Sequence, residues 1–290
     1  MSYVPARDSN FIFDKKLLQK ALIWLSPAAP RRGFLIAGNA GSGKTSFFKQ
    51  IAAVKSIEVF EVAGSPSLSY DSLVGTQTLQ DGNIQWQDGP LTMAWRRGGI
   101  FLINEVTRMS ADEQMRLVNQ LDRHGSLFIE QTGEQVPMHA NFRIAATGNS
   151  GMFGDESGAY PGERKASYAF RDRFIVAEYE GLNAEQETNL IVKHSGIAPD
   201  LASRMVSFAG HIRSQFCGGG GSLELSVTPR GMMDWAATTQ LYSQYFNSTG
   251  IPLDHNGGPV LEALRDIVLN GAPKDQRETI ESIWLNWMTA

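Results

Sequence analysis

Eight consecutive residues, Gly38-Asn39-Ala40-Gly41-Ser42-Gly43-Lys44-Thr45, fit the spacing G-x-x-x-x-G-K-[ST]. Glycine-rich backbone of this kind lets several N–H groups converge on phosphate oxygens, and a helix opening at Lys44 adds partial positive charge. In such a cradle the Lys44 ammonium reaches the β and γ phosphates and the Thr45 hydroxyl ligates magnesium. With Ser46, residues 38–46 form the expected nucleotide-binding set. An apolar segment, Phe34-Leu35-Ile36-Ala37, precedes the loop and a helix-like stretch follows it. That context separates the motif from a chance glycine-rich turn with an incidental lysine.

Two further segments end in polar groups. Gly98-Gly99-Ile100-Phe101-Leu102-Ile103 runs into Asn104-Glu105, and the carboxyl ends of strands are where open α/β sheets place chemistry. Glu105 is the candidate base, or orienter, for an attacking water. P-loop enzymes hold magnesium with an aspartate one position earlier, where this chain has Asn104. A neutral amide accepts a hydrogen bond from a magnesium-bound water but brings no charge to the cation, so weak metal binding or slow hydrolysis enters as an alternative. The third segment, FRIAATGN over residues 142–149, ends in Asn149, placed to bond the water or the γ-phosphate.

Positioning these groups requires a sheet. Nearly continuous apolar runs at 33–37, 57–62, 100–103, 142–146 and 174–179 read as strands buried on both faces. Helix-like stretches at 44–55, 88–97 and 110–123 lie between them, the last with Ala111, Met115, Val118 and Leu121 on one face and Ser110 as its cap. Two hairpins are expected, one turning at Asp81-Gly82-Asn83 and one at Thr132-Gly133. From about residue 181 only helices are expected, at 185–194, 200–216, 229–245, 260–270 and 275–287. The expected organisation is an α/β nucleotide-binding core over 1–180 and a helical lid over 181–290.

Composition narrows the class. The chain has 290 residues, 42% apolar and 19% charged, with 26 Lys and Arg against 30 Asp and Glu. The net charge of −4 gives no basic stripe for nucleic acid. No apolar run approaches the roughly 20 residues of a membrane span, and the first residues lack the apolar core of a signal peptide. A cytoplasmic protein is expected. The one cysteine, Cys217, stands beside the glycine run 218–221, and the histidines (His124, His139, His194, His211 and His255) show no metal-ligand spacing.

The order of these motifs resembles the AAA+ ATPases: P-loop, Asn104-Glu105, Asn149, then Arg171-Asp172-Arg173-Phe174 and Thr228-Pro229-Arg230. With the two hairpins, the chain is similar to the MoxR branch of that family. WQDGPLTMAWRRGGIFLINEV, residues 86–106, resembles CbbQ and NorQ. GMFGDESGAYPGERKASYAFRDRF, residues 151–174, and VTPRGMMDWA, residues 227–236, resemble the CobS subunit of cobaltochelatase. The resemblance covers residues 11–287, and Asn104 departs from the aspartate of these relatives.

The resemblance implies a P-loop AAA+ core with a helix-2 insert and a hairpin before Asn149, followed by a helical lid. It implies ATP and Mg2+ as ligands, with Thr45 and Asn104 at the metal, and a homo-oligomeric ring of about six subunits. Arg173 would act as a finger on the neighbour's γ-phosphate, with Arg171 a second candidate, and Arg230 would contact phosphate from the lid. Surface ion pairs are the alternative for all three, Asp234 being the partner for Arg230. The hairpin residues Ile84, Trp86 and Phe128 either meet a client or pack the hairpins down. Asp155 and Tyr160 match CobS positions without an assignable role. Expected functions are remodelling of a protein client, such as one with a von Willebrand factor A domain, an ATPase subunit of a cobaltochelatase, or an ATP-gated scaffold.

Overall fold

A computed structural model describes residues 3–122, 124–155, 160, 162–216, 221, 223–249 and 258–289. Its first elements are α1 (Lys15–Leu25), β1 (Gly33–Ala37), α2 (Lys44–Lys55), β2 (Val59–Ala63) and α3 (Tyr70–Val74). A hairpin of β3 (Gly75–Gln80) and β4 (Asn83–Asp88) follows, then α4 (Pro90–Arg97) and β5 (Ile100–Asn104). Next come α5 (Ala111–Arg116), α6 (Val118–Leu121), a short hairpin of β6 (Leu127–Ile129) and β7 (Glu134–Val136), and β8 (Arg143–Gly148). Then α7 (Tyr168–Arg171) leads into β9 (Phe174–Glu178).

The five apolar segments pair in parallel in the order β2-β5-β8-β1-β9. β1 and β8 are buried along their whole length, and β5 is buried up to its last residue, Asn104. The edge strands are not continuous in burial, because each has only one neighbour: Glu61 of β2 and Val176 of β9 face solvent. This order sets the C-terminal ends of β5, β8 and β1 side by side, above a core that fills both faces of the sheet.

Several elements differ from expectation. α1 is an added helix: Leu17, Ala21 and Trp24 recur at helical spacing and are buried, and Asp14 caps its start by accepting from the Leu17 N–H. The stretch 110–123 is two short helices, broken at Leu117. Ser110 caps as expected, but Ala111 and Met115 face out, and Gln114, Leu117 and Leu121 face in. The inward polar residue disguised the face: the Gln114 amide donates to the carbonyls of Val106 and Met109, closing the turn after β5.

The first hairpin closes on a two-residue turn, Asp81-Gly82, both with positive φ, the geometry that matches strand twist. Trp86 packs against the core and donates to Asp88, whereas Leu79, Ile84 and Phe128 stand exposed.

After β9 come α8 (Ala184–Ser195), α9 (Pro199–Ser214), α10 (Pro229–Thr249), α11 (Gly258–Ile267) and α12 (Lys274–Thr289). They enclose their own apolar cluster, drawn only from residues 191–284, in which Phe208, Trp235 and Trp284 meet edge to face. The expectations for Arg123, Cys217, glycines 218–220 and His255 lie outside the described residues.

Candidate functional site

The loop between β1 and α2 is shaped as its glycines allow. Gly41 and Gly43 both have positive φ, at 72° and 95°, which L side chains adopt only with strain. Gly38 approaches the chain just beyond β9 so closely that a Cβ there would overlap the Tyr179 carbonyl. Gly43 has open space above it, and no side chain caps the start of α2. The first-turn N–H groups of a helix have no intrahelical acceptor, and here they face a concave loop. Within it the Ser42 hydroxyl is buried and has no partner among the described residues. A cradle of free donors with an orphaned hydroxyl fits a phosphate group.

Lys44 is folded back over its own loop. Its ammonium donates to the carbonyls of Gly38 at 2.6 Å and Asn39 at 2.8 Å, and to Asn149 Oδ1 at 3.2 Å. Burial lowers its pKa to about 8, against upward pulls from the carboxylates of Glu163 and Glu105. Carbonyl dipoles hold this cation where a phosphate would hold it better.

At the end of β5, Thr45 Oγ1 donates to Asn104 Oδ1 at 2.7 Å. Thr147, buried on β8, reaches the same oxygen at 3.4 Å and accepts from the Glu105 backbone N–H at 3.1 Å. Glu105 itself sits in left-handed backbone, φ 51°, where the strand turns sharply into the following 3-10 turn. Its carboxylate pairs with Arg108 at 2.9 Å. The donor set at this end, a hydroxyl and an amide oxygen beside carboxylates, is hard oxygen. That chemistry fits a magnesium ion, which keeps several waters and needs no closed protein cage.

The expected residues thus divide. Lys44, Thr45, Asn104, Glu105 and Asn149 converge at the carboxyl ends of β1, β5 and β8. Ser46 lies on the exposed side of α2. Arg173 is at the opposite end of the sheet, where its carbonyl accepts from the Gly33 N–H at the start of β1. The full length of β1, about 16 Å, separates it from the loop. Its guanidinium pairs with Asp122 at 2.9 Å and Asp172 at 3.3 Å. Arg171 stacks on Phe153, 4.4 Å from the ring centre. Arg230 is exposed in the first turn of α10; the preceding Thr228 lies so near the loop that a Cβ on Gly41 would strike it. A cleft of about 310 Å3 opens there, lined by Asn39, Ala40, Ser42, Gly181, Leu182 and Thr228 among others.

Sequence reading missed Thr147, Glu61 and Glu163. Glu163 accepts from the Asn149 backbone N–H at 2.9 Å through one oxygen, and its other oxygen is buried with no hydrogen-bond partner among the described residues. Glu163 lies inside the quoted segment 151–174, but no spacing there singles it out. Tyr160 borders the cleft and its N–H donates to Asp155 at 2.6 Å.

Residues 33–174 match the AAA domain of the dynein-related subfamily. The denitrification regulatory protein NirQ of Pseudomonas aeruginosa is 30% identical over 62% of this chain and 66% of its own length. Protein NorQ of Paracoccus denitrificans is 29% identical over 73% and 72%. The aerobic cobaltochelatase subunit CobS of a Sinorhizobium species is 26% identical over 83% and 74%. Among solved structures, the RuvB Holliday junction branch migration motor of Thermotoga maritima covers 91% of this chain and 72% of its own, with TM-score 0.52 at 17% identity, a likeness of fold alone. No helix among the described residues is long and apolar enough to cross a membrane. With its P-loop, polar strand ends and helical C-terminal region, the chain belongs to the AAA+ ATPases of the MoxR type.

Proposed function

We propose that this protein is a ring-forming ATPase that couples ATP binding and hydrolysis to remodelling of a protein partner. The observation that carries the reading is the meeting of Lys44, Thr45, Asn104, Glu105 and Asn149 at one strand-end cluster, with Arg173 at the far end of the same sheet. A group about 16 Å from its own loop serves phosphate chemistry only on a neighbouring subunit. That is the arrangement a ring supplies.

In this reading the loop N–H groups and Lys44 hold the β and γ phosphates, and Lys44 leaves the Gly38 and Asn39 carbonyls to do so. Thr45 and Asn104 hold Mg2+, which when bound neutralises charge developing on the phosphates. Glu105 accepts a proton from the attacking water after release from Arg108, and Asn149 orients that water. Arg230 closes from the lid formed by residues 181–290, over a core of residues 1–180. The base occupies the cleft beside Asn39 and Gly181. Exposed Leu79, Ile84 and Phe128 at the two hairpins are the surface offered to a client. By analogy with CobS that client would be a chelatase subunit; in the wider MoxR type it would be a von Willebrand factor A domain protein.

The depressed pKa of Lys44 gives a pH dependence. Free Lys44 loses its proton near pH 8, below the ordinary 10.5, and phosphate binding needs the proton. ATP affinity is therefore expected to fall by up to about tenfold per pH unit above that point, as one linked proton requires. Stability moves the other way. The unfolded chain binds more protons than the folded one between about 8 and 10.5, so this group's contribution to stability rises with pH. A titration of affinity with pH beside thermal melts checks both signs, and a pH-independent affinity would contradict the role of Lys44. Steady-state ATP hydrolysis by wild type beside Glu105→Gln tests the function as a whole.

A further inference from the structure

The Asn104 amide has two different ends, and the structure fixes which way each faces. Its Nδ2 donates to Glu61 Oε1 at 2.6 Å, and its Oδ1 accepts from Thr45 at 2.7 Å. Glu61 stands on β2, which pairs with β5 so that Glu61 is opposite Leu102 and Ala63 opposite Asn104. The second Glu61 oxygen pairs with Lys49 at 2.6 Å. Lys49 lies four residues beyond Thr45, on the same face of α2. Two rungs therefore join this helix to the sheet, Thr45 to Asn104 and Lys49 to Glu61, and the Asn104–Glu61 bond closes the square.

An amide side chain can sit with either end toward its neighbours, but only its oxygen can face a cation. A carboxylate only accepts hydrogen bonds, so Glu61 obliges the Asn104 NH2 to face β2 and leaves Oδ1 on the Thr45 side. We propose that Glu61 is a positioning residue for the metal end of the site: it aims the Asn104 oxygen and keeps a carboxylate, shared with Lys49, beside the position where other P-loop ATPases have an aspartate. The carboxylate is moved one strand outward rather than lost. An aspartate at 104 would set two carboxylates at hydrogen-bond distance, where like charges cannot both ionise at low cost. Asn104 and Glu61 are thus one unit, and Asn104→Asp alone damages it. The inference rests on the reading of Thr45 and Asn104 as the metal end of the nucleotide site.

The test measures binding, not turnover. Affinity for a fluorescent ATP analogue is determined with Mg2+ and with EDTA, and their ratio gives the gain due to the metal. Glu61→Gln removes the charge and Asn104→Asp adds one beside it; each is expected to cut the gain by about tenfold or more, the usual cost of losing an outer partner of a metal ligand. The exchange Glu61→Gln/Asn104→Asp restores both one charge and one hydrogen bond, and is expected to recover the gain. Affinity in EDTA should stay level in Glu61→Gln, because Glu61 does not touch the phosphate cradle. A full gain in Glu61→Gln, or an exchange variant no better than the single ones, overturns the inference. Thr45→Ala separates the two levels. If it loses the gain while Glu61→Gln keeps it, only Glu61 is misassigned; if it too keeps the gain, the metal end itself is misread.

Discussion

Lys44→Ala is expected to lose nucleotide binding, with a drop in affinity of roughly 30- to 5,000-fold, the 2–5 kcal/mol typical of removing one partner of a desolvated charge pair. The residue is buried in the cradle and its three present partners are neutral oxygens. Phosphate would therefore replace neutral partners with a charged one at hydrogen-bond distance. Removing it takes away a cation that burial already disfavours, so the fold should survive, and thermal melting will show that. If nucleotide drives subunits together, the variant also stays small in light scattering when ATP is added. Unchanged ATP affinity would remove the assignment of the loop.

Arg173→Ala is expected to bind ATP normally and to lose about a thousandfold or more in turnover, the range for an arginine that neutralises charge in phosphoryl transfer. Its place at the start of β9 excludes it from its own site. Its pairs with Asp122 and Asp172 hold it ready at the surface, with the guanidinium about one-third exposed. Mixing separates a finger from a structural ion pair. In mixed rings of Arg173→Ala and Glu105→Gln subunits, an Arg173→Ala subunit keeps its own Glu105 and receives Arg173 from a Glu105→Gln neighbour. That site is complete, so partial activity should return from two inactive proteins. Activity that stays absent at every mixing ratio would remove action between subunits.

What was legible from sequence was local. The phosphate loop lies between a strand and a helix whose bounds, Gly33–Ala37 and Lys44–Lys55, follow from a short apolar run and from the glycines. The first hairpin was legible because Asp81-Gly82 allows positive φ at both positions. The break at Leu117 was hidden because the residue that faces the core before it, Gln114, is polar and earns its burial through carbonyls found only after folding. The site was half legible for the same reason. Lys44, Thr45 and Glu105 announce themselves by their motifs, whereas Glu61 and Thr147 meet them because the strand order sets β2, β5 and β8 side by side, and Glu163 returns to Asn149 through the loop after β8. Glu61 is 43 residues from Asn104, and no spacing rule connects them. Asn104, read alone, looked like a missing charge; beside Glu61 it reads as half of a pair.

The most direct measurement of the central claim is steady-state ATP hydrolysis with Mg2+ by wild-type protein, set beside Glu105→Gln. The account predicts measurable turnover in the wild type and its loss in the variant, with ATP binding kept in both. Turnover equal in the two proteins would contradict it.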